Sequence, residues 1–498
     1  ARSKEFAMRR ALGASRARLL RQMLTESFLL TGAGALLGLI LAFTLVTYLT
    51  HQSAIALPLL GTLRIDGRVL IWTLMLSLMA AALFGSIPNF TIFSGDLQEA
   101  IKDSGAGMTQ GKKNDRMRAL LVVSEIALAC VLLVGAGLLL RSFLHVLDVD
   151  LGFQPSRAAA ITVDYNDEGS DAKRAAILQN IVDRVKAIPG IESAGISDNL
   201  PLDHNRGWSL SAKGKDYRQG ELPEAFVYVI TPGYLGAMGI RFRAGRDFTW
   251  ADTADGPRVA VLNRAAASYL WPDEDAIGRT AIVNGKETKV VGVVSDVRER
   301  NLETQSGWQL YLPASQNGTD GAELVVRTKL PPDVLASSVM STLRSINPGQ
   351  PATTFRTIQQ LVDHAVSPRR FFVLLVGFFA VLGLILASLG IYGVISYSVS
   401  RQTQEFGIRM ALGASASRVQ LAVIRRTLQL AFAGIALGTL ASLAVAKMIS
   451  SLLFATAPSD PLTFAATIII LSVIAALAGY IPARRASRVS PITALRVS

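Results

Sequence analysis

The chain has 498 residues, 50% of them hydrophobic and only 17% charged, where a soluble domain carries roughly 25%. With a mean hydropathy of +0.38, this excludes an ordinary soluble protein and indicates an integral membrane protein with a polar domain attached. The formal charge of +13 is spread over the flanks of apolar runs rather than gathered in one patch, which argues against nucleic acid as a partner.

In chain order, the first 26 residues are basic, with a short amphipathic stretch, EFAMRRALGAS, at 5–15. They lack the pattern of a cleaved leader. Apolar runs of the length a bilayer requires then fall at Ser27–Leu49, Val69–Ile87, Ala119–Leu140, Phe371–Val399, Leu428–Leu453 and Phe464–Ile481. The expected architecture is therefore an α-helical polytopic membrane protein with six transmembrane helices. Glu125 and Lys447 lie in the third and fifth runs near their ends, where charges snorkel or pair. The flanks 1–26, 88–118, 400–427 and 484–498 hold 21 Lys/Arg against 7 Asp/Glu, whereas loops 50–68 and 454–463 hold two Arg and two Asp. Six spans place all four basic flanks on one side, the cytoplasmic one, and residues 141–370 on the other.

That large segment reads as an α+β domain, with strands expected at Ala159–Tyr165, Ile191–Ser197, Phe226–Thr231, Arg258–Leu262, Val290–Val297 and Leu324–Thr328. Asn284-Gly285 marks a hairpin, and helices are expected at Lys173–Ile188 and Pro332–Ile346. The single cysteine, Cys130, lies in a span, so no disulfide can form within the chain and the domain must rest on its own apolar core. No HExxH, GxSxG, zinc-type cysteine pair or GxxxxGK[ST] occurs. The chain is expected to be no enzyme, to hold no metal and no cofactor, and to have no P-loop for ATP.

EFGIRMALGAS at 405–415 repeats EFAMRRALGAS at 5–15, with eight of eleven positions identical. In each copy an acid precedes a base by four residues, Glu405/Arg409 and Glu5/Arg9, the favourable order for a helical ion pair. Phe406 and Met410 share one face, and Ile408 and Leu412 another. Gly413 and Gly13 suit a left-handed helix end, and Ser415 and Ser15 suit the start of the next helix. The repetition of polar positions favours a docking surface for a protein over a lipid anchor, which needs only amphipathicity. The correspondence runs on through Gly34 and Gly38 against Gly434 and Gly438, a small-residue pattern for close helix packing, and through Gly85, Ile87 and Pro88 against Gly479, Ile481 and Pro482. The organisation is thus a first repeat at 1–102, a linker at 103–118, a span at 119–140, the large domain at 141–370 and a second repeat at 371–498. The second repeat is preceded by its own span and the first is not, so the sequence reads as a fragment or processed product lacking an upstream span.

EFGIRxALGAS at 405–415 followed by IPARRASRVSPITALR at 481–496 resembles the C-terminal permease unit of the MacB/FtsX/LolC class of ABC transporters. TPGYLGAMGIRFRAGRDF at 231–248, VAVLNRAAASYLWP at 259–272 and VVGVVSDVR at 290–298 resemble the MacB-like periplasmic core domain. Two permease units in one chain are similar to the duplicated permeases of acidobacterial type. The resemblance implies a multi-pass protein of the bacterial inner membrane with residues 141–370 periplasmic. It implies a separate MacB/LolD-like ATP-binding subunit as partner, which binds the ATP, and raises a periplasmic adaptor or outer-membrane channel as further partners. It also implies that Glu5, Phe6, Arg9, Leu12 and Gly13, with Glu405, Phe406, Arg409, Leu412 and Gly413, form coupling helices against that subunit, passing its ATPase cycle to the periplasmic domain as movement. The alternative it leaves is an FtsX-like regulator that controls a periplasmic partner without transport.

Overall fold

The computed structural model describes residues 15–51, 66–93, 109–165, 170–203, 205–217, 223–319, 321–351, 353, 355–412 and 414–487. The chain divides into two compact units, one made of 1–141 with 371–498 and the other of 142–370.

Three helices open the chain: α1 (Arg16–His51), α2 (Gly67–Phe93) and α3 (Thr109–Leu147). Each extends past its apolar run, because a helix satisfies its own backbone hydrogen bonds inside and outside lipid alike. The domain follows with β1 (Ala158–Thr162), α4 (Asp171–Lys186), β2 (Ile191–Ser197), β3 (Gly207–Ala212), β4 (Glu224–Ile230), α5 (Tyr234–Met238) and β5 (Phe242–Gly245). It continues with β6 (Val259–Asn263), α6 (Arg264–Leu270), β7 (Thr280–Val283), β8 (Lys286–Val294), β9 (Gln309–Pro313), β10 (Glu323–Thr328), α7 (Pro332–Ile346) and β11 (Arg356–Thr357). Helices α8 (Ile358–Arg401), α9 (Thr403–Ala411), α10 (Ala416–Met448) and α11 (Pro461–Ala486) complete the chain.

Five helical stretches are long and apolar enough to cross a membrane: Leu24–Tyr48, Arg116–Leu147, Ile358–Ser400, Ala416–Met448 and Pro461–Arg485. Five of the six expected spans are thus borne out among the described residues, and the sixth is not confirmed. The run Val69–Ile87 does lie in a helix, α2, but its fully described apolar part, Gly67–Ala82, is shorter than a span.

In the membrane unit, α3, α8, α9, α10 and α11 share one core, which includes Ile126, Cys130, Ile391, Val399, Phe406, Val423, Ile435 and Leu471. A Cβ on Gly434 would lie 2.8 Å from Ile126 Cβ, and one on Gly438 2.6 Å from Cys130 Cβ and 2.8 Å from the Ala127 carbonyl. These glycines let α10 meet α3 closely, as the small-residue pattern predicts. Their counterparts differ, for Gly34 and Gly38 have nothing within 4 Å. The close packing expected of Gly34 and Gly38 is therefore absent among the described residues. Glu125 lies against Gly390 of α8, where a Cβ would overlap its carboxylate. Lys447 stands exposed in the last turn of α10, where a cation complements the helix dipole.

At the far end of this unit, Asp460 caps α11, accepting from Thr463 N at 3.0 Å and Thr463 Oγ1 at 2.7 Å. Its other oxygen pairs with Arg141 of α3. One carboxylate thus starts one helix and ties it to another. Asp460→Ala is expected to cost about 1–2 kcal/mol, read as a lower thermal midpoint, whereas Asp460→Asn should restore the cap but not the ion pair.

In the domain, strands β4, β3, β7, β8, β6 and β9 pair in that order, and β9 returns to β4 in parallel register, Phe226↔Gln309 through Ile230↔Pro313. The ring of pairings closes a six-stranded barrel, which leaves none of these strands with an open edge. The remaining sheet, β11-β1-β10-β2, is antiparallel, and its core includes Leu178, Ile181, Val185, Val339 and Leu343 from α4 and α7. Asn284 and Gly285 take φ of 45° and 77° and join β7 to β8 with Val283 opposite Lys286, the hairpin that this dipeptide predicts. Gly233 and Gly239, at φ 88° and 68°, bound the single-turn helix α5.

Glu299 is buried behind the barrel wall. It accepts from Tyr228 Oη at 2.5 Å, Asn205 Nδ2 at 2.7 Å and Gln309 Nε2 at 2.9 Å. Burial pushes its carboxyl above the ordinary 4.5, against the opposing pull of these three donors. The folded state therefore binds this proton more tightly than the unfolded chain, and stability falls as pH rises from about 4.5 through the raised value. Glu299→Gln should flatten that part of the profile, so the difference in thermal midpoint between variant and parent shrinks or reverses on going from pH 4 to pH 7. A constant difference across that range would show that Glu299 titrates as a solvated acid.

Candidate docking helix

Arg401 ends α8, and Gln402 turns the chain (φ −95°, ψ 11°) directly into α9, a helix of nine residues. The acid and base are placed to complement the dipole, Glu405 in the first turn and Arg409 in the last. They pair with each other across one turn, both about half exposed. Such a pair adds only about 0.3–0.5 kcal/mol, so packing rather than charge holds α9 in place.

That packing is one-sided. Phe406 is 5% exposed and, with partly buried Met410, joins the core formed with Val399, Val419 and Val423. Ile408 is 43% exposed and Leu412 83%. The two faces expected from the spacing thus separate, one inward and one outward. Phe406 is a correction to the expected contact set, since its ring anchors α9 to its own bundle and is not offered to a partner. Beyond α9, the Ala414 amide donates to the Arg409 carbonyl at 2.9 Å and turns the chain. Ser415 stands at the N-cap of α10 in extended conformation (φ −65°, ψ 145°), but its side chain makes no capping bond. Its hydroxyl lies 3.1 Å from that of Ser417.

Between α8, α9 and α10 lies a cleft of about 240 Å³, with Ile395, Phe406 and Val423 as its floor and Ser398, Gln402 and Arg426 on its rim. Glu405, Arg409 and Leu412 are thus brought to one exposed surface with Ile408, a residue that the sequence placed on the Leu412 face without assigning it to the site. Gly413 and the whole first copy, Glu5, Phe6, Arg9, Leu12 and Gly13, lie outside the described residues. Among the described residues, no group of three His, Cys, Asp or Glu side chains is arranged to hold a metal ion.

Residues 1–97 and 377–491 match the family model of the FtsX-like permease C-terminal region. Residues 120–346 match that of the MacB-like periplasmic core domain. The chain belongs to the MacB- and FtsX-like ABC transporter permeases. This permease is 25% identical over 415 residues to the macrolide export ATP-binding/permease protein MacB of Chromobacterium violaceum, covering 80% of the chain and 61% of that protein. It is 29% identical to MacB of Campylobacter jejuni, over 52% of the chain and 42% of that protein. An uncharacterized ABC transporter permease of Bacillus subtilis, YvrN, is 25% identical over 54% of the chain and 69% of that protein. The chain therefore spans less than two thirds of the length of either MacB relative. Among solved structures, the periplasmic region of MacB from Actinobacillus actinomycetemcomitans aligns at 20% identity and a TM-score of 0.30, over 42% of the chain and 92% of that structure. The permease is a multi-pass inner-membrane protein, and its core domain is the periplasmic part.

Proposed function

We propose that this chain is the membrane subunit of an ABC exporter in which α9 receives the stroke of a separate ATP-binding subunit and passes it to the periplasmic domain. The observation that carries the reading is the two-sided build of α9. Ile408 and Leu412 are bare on one side, and Phe406 is locked into the bundle on the other. A helix built this way takes force on its exposed side and delivers it through its buried one, because a close-packed interior transmits displacement rather than absorbing it.

The long element next to α9 supports the same reading. Helix α8 has 44 residues and a length of about 66 Å at 1.5 Å per residue, against a hydrocarbon core of about 30 Å. The positive flanks put α9 at the cytoplasmic end of that helix. ATP is held by the partner, and this chain contributes docking, span and moving domain. The MacB relatives are named for macrolide export, and we extend to this chain export of a compound taken up at the periplasmic side, without passage through the spans. The test is association of the full chain with its ATP-binding subunit, and the ATPase rate of that complex, in variants of the exposed face of α9.

A further inference from the structure

The cleft beside α9 has a composition that docking to a protein does not require. Its floor is apolar, and its rim carries hydroxyl, amide and guanidinium groups from Ser398, Gln402 and Arg426. The charges on that rim are not equivalent. Arg409 is paired with Glu405, leaving little net field, whereas Arg426 makes no ion pair or hydrogen bond among the described residues. Arg418 and Ala422 precede Arg426 by eight and four residues on α10, and so lie on the same side of the helix.

The depth of the cleft is marked by Tyr397, which sits within the α8 segment that lines it. Its ring is half exposed, and the Arg118 guanidinium stacks over it at 3.8 Å from the centroid. Tyrosine and arginine together mark the headgroup level of a bilayer. At that level, a cleft with apolar floor and free guanidinium matches a molecule with a phosphate at one end and a hydrocarbon chain at the other.

We infer that the cleft between α8, α9 and α10 binds one anionic phospholipid, its phosphate on Arg426 and the start of its acyl chain over Ile395, Phe406 and Val423. The inference rests on the cytoplasmic placement of α9 but not on its docking to an ATP-binding subunit. Such a lipid would fill the space beneath α9 and tie the helix to α10, which makes the stiffness of the docking element depend on membrane composition.

The experiment is native mass spectrometry of the delipidated full chain, without any partner, titrated with phosphatidylglycerol or phosphatidylcholine. One phosphatidylglycerol should be retained in preference to phosphatidylcholine, and Arg426→Gln should weaken that retention about fivefold. Arg426→Lys should keep most of it, and Arg485→Gln, a cation at the end of α11, should leave it unchanged. Ala422→Phe, which fills the cleft from its exposed rim without removing charge, should mimic Arg426→Gln and keeps the test open if that variant misfolds. Millimolar glycerol phosphate should not compete, since it lacks the chain that the floor receives. Equal retention in Arg426→Gln and parent, an equal loss in Arg485→Gln, or displacement by glycerol phosphate would each overturn the lipid site.

Discussion

Leu412→Asp is expected to weaken association with the ATP-binding subunit by about thirtyfold or more, and to remove the stimulation of its ATPase by this chain. Leu412 is 83% exposed, so the substitution leaves the bundle intact and changes only what α9 presents. Covering a leucine at an interface contributes about 2 kcal/mol, and an aspartate there would also have to shed its water. Arg409→Glu should act in the same direction, because it replaces the Glu405 pair with two like charges one turn apart. The informative contrast is Phe406→Ala. Its ring is buried in the bundle, so that variant should lower the thermal midpoint of the isolated chain, an effect that Leu412→Asp should not produce. Undiminished association in Leu412→Asp would remove α9 from the docking surface, and with it the proposed route of the stroke.

The second large effect separates the two repeats. Gly438→Leu should destabilise the membrane unit by about 1–3 kcal/mol or more, lowering the thermal midpoint in detergent by several degrees. The obstacle is backbone. A Cβ at this position would stand 2.8 Å from the Ala127 carbonyl, which no rotamer change can relieve. Gly38→Leu, at the matching position of the first repeat, has nothing within 4 Å to strike among the described residues and should leave the midpoint where it was. Equal losses at both positions would mean that Gly38 is also packed, and that the repeats are alike in their helix contacts as well as in sequence.

Much of the architecture follows from local chemistry. Apolar runs located the long helices because only a helix satisfies its backbone in lipid, yet they placed the ends short, since the helices α3 and α8 continue through polar flanks that hydropathy does not register. The helix Pro332–Ile346 and the strand Ile191–Ser197 were found to the residue, for proline starts the first and Pro189-Gly190 sets off the second. Strands β3, β5, β9 and β11 were missed. They have two to six residues each, and they hold their place by pairing with strands that lie apart from them in sequence.

The docking helix shows the same division. Spacing of Glu405 and Arg409 was enough to predict their pair, and the four-residue interval was enough to put Phe406 with Met410 and Ile408 with Leu412. An interval cannot say which face turns inward. That was decided by the neighbours of α9, where Val399, Val419 and Val423 close around Phe406.

The repeat of EFxxRxALGAS, by itself, determined that the chain carries two like sequence units and led to the expectation of a cytoplasmic helix in each, because local helix chemistry and the positive flanks are written residue by residue. Only the tertiary structure decided that Gly434 and Gly438 meet another helix while Gly34 and Gly38 meet none among the described residues, and that α9 is bare on its Leu412 side. Packing depends on what lies opposite a residue, and identical sequence does not guarantee identical neighbours.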